Sequence, residues 1–237
     1  VHRPVDHLTD SQLAAMNAAH PWKTSTRDAR GREVGLLGGP QYVIPAELVL
    51  MADMRFDLST KSVVEFGCLE GAHTIALAEK SKALLALDAR HDNLMKSSLR
   101  CAMYGVFPRF ALMDVEESMP AAADLFFHSG VLYHLQDPVG HLLKVCQLAQ
   151  TVVLDTHHAK QTPETYKSSD GKTYPAWIYR ENVSGAKAGV RDFSRWLPLE
   201  TIRETLSDRY DEVSIISDRV ERNGPRATIF ATRRRTG

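Results

Sequence analysis

From residue 62 onward, short apolar runs alternate with stretches whose apolar residues recur at helical spacing. The runs predict strands at Ser62–Phe66, Ala83–Asp88, Arg109–Met113, Asp124–His128, Thr151–Thr156, Glu212–Ile216 and Ala227–Thr232. Between them, helices are expected near Ala72–Lys80, Asp92–Tyr104, Asp137–Ala149 and Pro198–Ser207. In the third helix Asp137 is placed to cap, Pro138 opens the first turn, and Val139, Leu142, Leu143 and Cys146 share a face. The second is expected to start at His91 or Asp92 and to turn Met95, Leu99, Ala102 and Met103 inward. Strand–helix alternation of this kind implies an α/β, Rossmann-like, doubly wound sheet. Seven strands are expected, mostly parallel, with the last antiparallel.

Two segments stand outside the alternation. Residues 1–60 read as an N-terminal helical extension, with helices at Ser11–Ala19 and Ala46–Met54 around the Gly/Arg-rich loop "RDARGREVGLLGGP". The remainder, 61–237, reads as one domain interrupted at 159–195. That interruption far exceeds the roughly 2–6 residues usual for such a connection. It holds Tyr166, Tyr174, Trp177, Tyr179 and Phe193, whereas disordered linkers are poor in aromatics. It is therefore expected to be a folded lid, the alternative being a surface hairpin packed on its own aromatics.

Composition narrows the partners. The 237 residues are 43% hydrophobic and 24% charged, ordinary for a globular protein. Lys+Arg and Asp+Glu are 29 each, which argues against a nucleic-acid partner. No apolar run is long enough to span a bilayer, and "VHRPVDHLTD" lacks a signal peptide's apolar region. The first residue is Val, so a few residues are expected to precede it. Cys68, Cys101 and Cys146 are widely spaced, as reduced thiols would be, and a cytoplasmic protein is the expectation. The oligomeric state is left open.

The chemistry starts at "VVEFGCLEG". Glycine lets a backbone turn sharply and approach a ligand. Gly67 and Gly71 are four apart and the GxGxxG of a dinucleotide fingerprint is missing, so the turn is not shaped for a pyrophosphate. A carboxylate at its start suits a cationic ligand. Asp88 ends the next strand, where a carboxylate can accept hydrogen bonds from both hydroxyls of a ribose. Asp114 ends the third strand, although it could equally cap a turn. Three acids on successive strand tips around a glycine bend point to S-adenosylmethionine (SAM), a nucleoside carrying an ammonium and a sulfonium.

"VVEFGCLEG", "LLALDAR", "ALMDVEE" and "HSGVLYHLQDP" together resemble, in order, the cofactor motifs of class I SAM-dependent methyltransferases. The last stretch looks most like the small-molecule enzymes related to the tRNA wobble-uridine carboxymethyltransferases. The resemblance is close over about Val63–Ala149 and looser through "RDFSRWLPLETIRETL". It implies that Glu65, Gly67, Cys68 and Gly71 form the cofactor turn, with the Gly67 backbone near the methionine moiety. Asp88 would grip the ribose, Ala89 or Arg90 flank the adenine, Asp114 and Val115 meet the adenine edge, and Ser129–Gly130 pass the methionine. Cys68 is also adequately read as a small buried residue.

Methyl transfer needs alignment, and a base only where the acceptor must lose a proton. The candidates are His128, His134, His157 and His158, all at the carboxyl edge of the expected sheet. His134 could instead pin a turn, and His128 could be a near-core histidine. His157 and His158 are adjacent, so an extended chain would point them opposite ways. Asp155 with His157 raises a metal, but no third ligand is evident and none is expected. Trp177, Tyr179 and Arg180 in the lid, with Trp22 beside Lys23, are candidate substrate contacts. The bland readings are a self-packed hairpin with an Arg180–Glu181 surface pair, and a partly buried Trp. The "RRRTG" end is expected to be a solvated tail. The resulting expectation is methyl transfer to oxygen or nitrogen of a small metabolite, a sugar or natural-product intermediate. The alternatives are a tRNA-modifying (carboxy)methyltransferase, an NAD-dependent oxidoreductase and a non-catalytic SAM-binding domain.

Overall fold

The computed structural model describes residues 2–233; residues 234–237, most of the "RRRTG" end, lie outside the described residues. The chain divides into two compact units, one of residues up to Val63 with Cys68–Leu112, the other of Val64–Gly67 with residues from Met113 on.

The first unit opens with helix α1 (Asp10–Ala18), where Thr9 and Gln12 form a capping box. Strands β1 (Ser25–Arg27) and β2 (Glu33–Gly35) then pair antiparallel, so a small hairpin runs into the expected Gly/Arg-rich loop. Helix α2 (Glu47–Phe56) leads into β3 (Ser62–Phe66), whose last three residues belong to the second unit. Helix α3 (Ala72–Lys80), β4 (Ala83–Asp88), α4 (His91–Met103) and β5 (Arg109–Leu112) complete it. Val5, Leu13, Val34, Ile75, Cys101, Met103 and Tyr104 form a buried cluster, which ties the N-terminal residues to α3 and α4. Each fully buried Ile or Leu there is worth roughly 1.5–3 kcal/mol.

The inward face of α4 is the expected one in part: Met103 is buried in that cluster and Leu99 packs against it. Met95 is 49% exposed and Ala102 is exposed, while Lys96, Ser97 and Arg100 are buried. Hydrophobic periodicity misreads this helix because its inner face carries two cations, which a buried carboxylate stabilises there.

The second unit contains β6 (Ala123–Ser129), α5 (Pro138–Leu148), β7 (Ala149–His157), α6 (Leu199–Ser207), β11 (Glu212–Glu221) and β12 (Gly224–Thr232). Asp137 caps α5 by accepting from the Gly140 N–H, with Pro138 in the first turn. The sheet has seven strands in the order β11-β12-β7-β6-β3-β4-β5, an α/β, Rossmann-like arrangement. Pairs β4–β5 and β6–β7 are parallel, and the last strand, β12, is antiparallel to β7. Strand order reverses between β3 and β6, the place where such sheets open a crevice at their carboxyl ends. Phe66 and Phe126, 5.0 Å apart, pack at the core of this unit.

Segment 159–195 is folded. Strands β8 (Glu164–Lys167), β9 (Thr173–Arg180) and β10 (Phe193–Trp196) make a separate three-stranded antiparallel sheet. It is pinned to the start of α5. Ser168 Oγ and the Ser169 N–H donate to Asp137 at 2.7 and 2.9 Å, and the Tyr166 hydroxyl accepts from the Val139 N–H. Among the described residues no helix is long and apolar enough to cross a membrane.

Candidate functional site

The glycine turn is built from left-handed backbone. Gly67, Leu69 and Gly71 have φ of 72°, 49° and 85°. At Gly67 a Cβ would overlap Val131 Cγ2, and at Gly71 it would lie 2.8 Å from Ser97 Oγ. Only glycine fits both the conformation and the space. Leu69 accepts the same strain, on the order of 1–2 kcal/mol, without that freedom. What holds it is Asp88, whose Oδ2 accepts the Leu69 N–H at 3.0 Å.

Asp88 therefore braces the turn as well as ending β4. Its Oδ1 also takes the Arg90 N–H at 2.9 Å, and Asn93 Nδ2 reaches both oxygens at 3.1 and 3.2 Å. Burial pushes its pKa up, against the pull of these bonds. Ala89 beside it is exposed and Arg90 half-buried. Cys68 is buried against Ala86 and Leu94, which matches its reading as a small core residue.

Between Leu69 and Gly71 sits Glu70, a residue that sequence reasoning passed over. Its side chain is 1% exposed, with Lys96 Nζ at 3.4 Å and Arg100 Nη2 at 3.8 Å, both equally buried. It accepts the N–H groups of Lys23 and Thr24 at 2.8 and 2.9 Å and the Thr24 hydroxyl at 2.7 Å. Trp22 is buried under Arg100, ring to guanidinium 4.6 Å, so it packs in the first unit rather than presenting an open face.

In the second unit Glu65 is buried at the end of β3. Asp114 Oδ1 accepts the Glu116 N–H, an Asx turn, while its Oδ2 lies 2.8 Å from Arg191 of segment 159–195. Val115 is buried, Ser129 and Gly130 are half-buried, and the Gly130 N–H is held by the Asp155 carbonyl at 2.8 Å.

The four histidines are in different circumstances. His128 is fully buried, stacked on Phe66, with Nε2 2.9 Å from His141 Nε2. Burial pushes both below the ordinary histidine range, His141 to about 4, so the pair is neutral and shares one proton between facing nitrogens. His158 Nε2 pairs with Asp218 on β11 at 2.9 Å. His157 Nδ1 is 3.1 Å from the Pro225 carbonyl, which can only accept, so the proton is on Nδ1. Its ring is stacked on Trp196 and edge-on to Tyr133, and burial lowers its pKa. His134 is partly exposed, with Nδ1 2.7 Å from Glu181 Oε1.

That last contact removes one of the bland readings. Glu181 does not form a surface pair with Arg180; its side chain is 2% exposed and bonds His134, the Ser194 hydroxyl and the Gly189 N–H. Burial would raise its pKa, yet these partners bring it below the ordinary carboxylate value. Arg180 is exposed. Trp177 and Tyr179, 38% and 40% exposed, lie against Trp196 at ring distances of 5.1 and 5.5 Å. Asp155 is engaged by Arg226, Arg219 and the Thr228 hydroxyl. Among the described residues no three His, Cys, Asp or Glu side chains gather as a metal site.

No protein-family description matches the chain, and no curated protein matches it. Solved structures do. The N-terminal domain of EvdMO1, crystallised in the presence of S-adenosylhomocysteine (SAH) and D-fucose, is 21% identical with a TM-score of 0.76, over 96% of this chain and 99% of that one. Magnesium protoporphyrin IX methyltransferase (ChlM) from Synechocystis PCC 6803, with bound SAM, is 17% identical with a TM-score of 0.55, covering 79% and 76% of the two chains. The 1,6-didemethyltoxoflavin-N1-methyltransferase of Burkholderia thailandensis, with SAH bound, is 14% identical, also at 0.55, over 78% and 76%. This chain has the α/β, Rossmann-like fold of those structures.

Proposed function

We propose that this protein is a SAM-dependent methyltransferase acting on an oxygen or nitrogen of a small molecule. The observation that carries the reading is Asp88. It is a buried carboxylate at a strand tip, braced by three residues and tied to a glycine turn that lacks the dinucleotide pattern. Such a group fits a ribose diol, since an ionised carboxylate has about four acceptor sites and the two longest contacts, from Asn93 Nδ2 at 3.1 and 3.2 Å, are the ones a diol would replace. The fold supports it, because neighbours of the same fold hold SAM or SAH.

When bound, SAM supplies an electrophilic methyl group on a sulfonium. Asp88 would hold its ribose, Ala89 or Arg90 and Asp114 with Val115 its adenine, and Glu65, Gly67, Gly71, Ser129 and Gly130 the amino-acid portion. Trp177, Tyr179 and Arg180 offer aromatic and cationic contacts for an acceptor. The balanced charge of the chain supports a small acceptor over RNA. D-fucose is a natural first probe, since it was used with the EvdMO1 domain. Transfer of a labelled methyl from SAM to deoxyhexoses and to amine-bearing small molecules tests the proposal. Label in any of these products is expected, and its absence across the panel while tRNA is labelled would overturn the small-molecule reading.

A further inference from the structure

Whether a methyltransferase needs a base depends on the acceptor. A neutral amine brings its own lone pair, whereas a hydroxyl must lose a proton as the new bond forms. An oriented base is therefore informative about the acceptor. His128 is sealed against His141, and His158, with Nε2 on Asp218, keeps its unpartnered Nδ1 buried. His157 Nε2 is 3.9 Å from Glu221, and its ring is only 3% exposed.

His134 differs from all three. An ionised carboxylate only accepts hydrogen bonds, so Glu181 Oε1, 2.7 Å away, holds the proton on Nδ1 and leaves the lone pair on Nε2. Among the described residues Nε2 has no partner, and the side chain is 17% exposed. Glu181 is fixed in turn by the Ser194 hydroxyl at 2.7 Å and the Gly189 N–H at 3.1 Å. The result is an imidazole with one nitrogen anchored and the other available, the arrangement a general base requires. Tyr133 packs on His134 at 4.2 Å, with His157 4.7 Å beyond it. The other charged groups of the turn act on its backbone: Glu116 accepts the Gln136 and Asp137 N–H groups, and Arg195 donates to the Gln136 carbonyl.

We infer that His134 is the general base for methyl transfer to a substrate hydroxyl and that Glu181, supplied by the lid, is its positioning residue. The inference rests on the methyltransferase reading and narrows its acceptor to an alcohol. The acceptor oxygen bonds the methyl carbon as the carbon–sulfur bond breaks with its electron pair on sulfur. The hydroxyl proton passes to His134 Nε2, Glu181 balances the imidazolium, and solvent later takes the proton.

The test combines nitrogen-15 NMR of histidine-labelled protein at about pH 9, where imidazoles are neutral, with SAH calorimetry and methyl transfer to D-fucose. His134 is assigned from the His134→Gln spectrum. The wild type should show His134 protonated on Nδ1, and Glu181→Gln should lose that preference while Glu181→Asp retains part of it. His134→Ala should lower kcat by about 10²-fold or more, with imidazole in the buffer restoring some of it. Glu181→Gln should lower kcat by at least about tenfold with KM and SAH affinity unchanged. A wild-type His134 carrying its proton on Nε2, with SAH bound normally, would overturn the dyad alone. So would a kcat in His134→Ala equal to that of the wild type. Failure of the wild type to bind SAH would overturn the methyltransferase reading and the dyad with it.

Discussion

Glu70 makes a sharp test of the physical account, because its burial is explained only by its partners. Replacing it with Ala removes the anion facing Lys96 and Arg100, whose side chains are 1% and 0% exposed. It also orphans the Lys23 and Thr24 N–H groups and the Thr24 hydroxyl. Lys96 keeps Asp92 at 2.7 Å, but that carboxylate is 60% exposed. Breaking a buried pair by deleting one partner costs about 3–5 kcal/mol. For a chain of this size each kcal/mol moves Tm by about 2–4 °C, so the midpoint should fall by roughly 6–20 °C. Urea unfolding followed by circular dichroism would read the loss directly. Lys96→Met in the Glu70→Ala background should recover part of it, giving non-additivity of about 1 kcal/mol or more. A loss under about 1 kcal/mol, or strict additivity, would refute the reasoning and mean that water reaches the cluster.

Three further outcomes can be measured. The His128–His141 pair should make the fold acid-sensitive. Above pH 6.5 both states are neutral; as pH falls toward about 4 the unfolded histidines protonate first, so stability declines by about 1.4 kcal/mol per pH unit for each. Urea titrations between pH 7.5 and 4.5 should show a flatter slope in His128→Phe/His141→Leu, and equal slopes would contradict the assignment. Gly67→Ala should destabilise more than Gly130→Ala. Both have positive φ, but only the first meets an obstruction, while the nearest atom to a Cβ at Gly130 is 3.6 Å away. Equal losses on urea unfolding would count against the packing at Val131. Arg191→Ala should change stability by less than about 1 kcal/mol, because its pairs with Asp114 and Glu117 are partly exposed; a larger fall would show that segment 159–195 depends on them.

Much of the central sheet was legible because its strands are continuous apolar runs between turn residues. β3 and β4 lie at the expected residues, and Asp137 and Pro138 announced α5. β11 runs to Glu221, beyond the expected Ile216, because pairing to β12 continues past a bulge between Ile215 and Ser217. Its outer half is polar since that part faces solvent and sends Arg219 to Asp155, so period-two patterning fades there. Strands β8 to β10 escaped for a related reason: β9 carries Pro175 and buries only Ala176 fully. Glu70 and Glu181 were illegible as buried acids. Local pattern treats an isolated Glu as solvated, and their partners lie far off in sequence, 46 residues from Glu70 to Thr24 and 47 from Glu181 to His134. Histidines read alike in sequence, and only partners at each ring nitrogen separate them.

The most direct test of the central claim is calorimetric titration of SAH into the wild type and Asp88→Ala, with NAD titrated in parallel. Saturable one-site binding of SAH is predicted, weakened in the variant by about 1–3 kcal/mol through orphaned ribose hydroxyls, with no binding of NAD. An affinity for SAH that ignores Asp88, or heat from NAD and none from SAH, would contradict it.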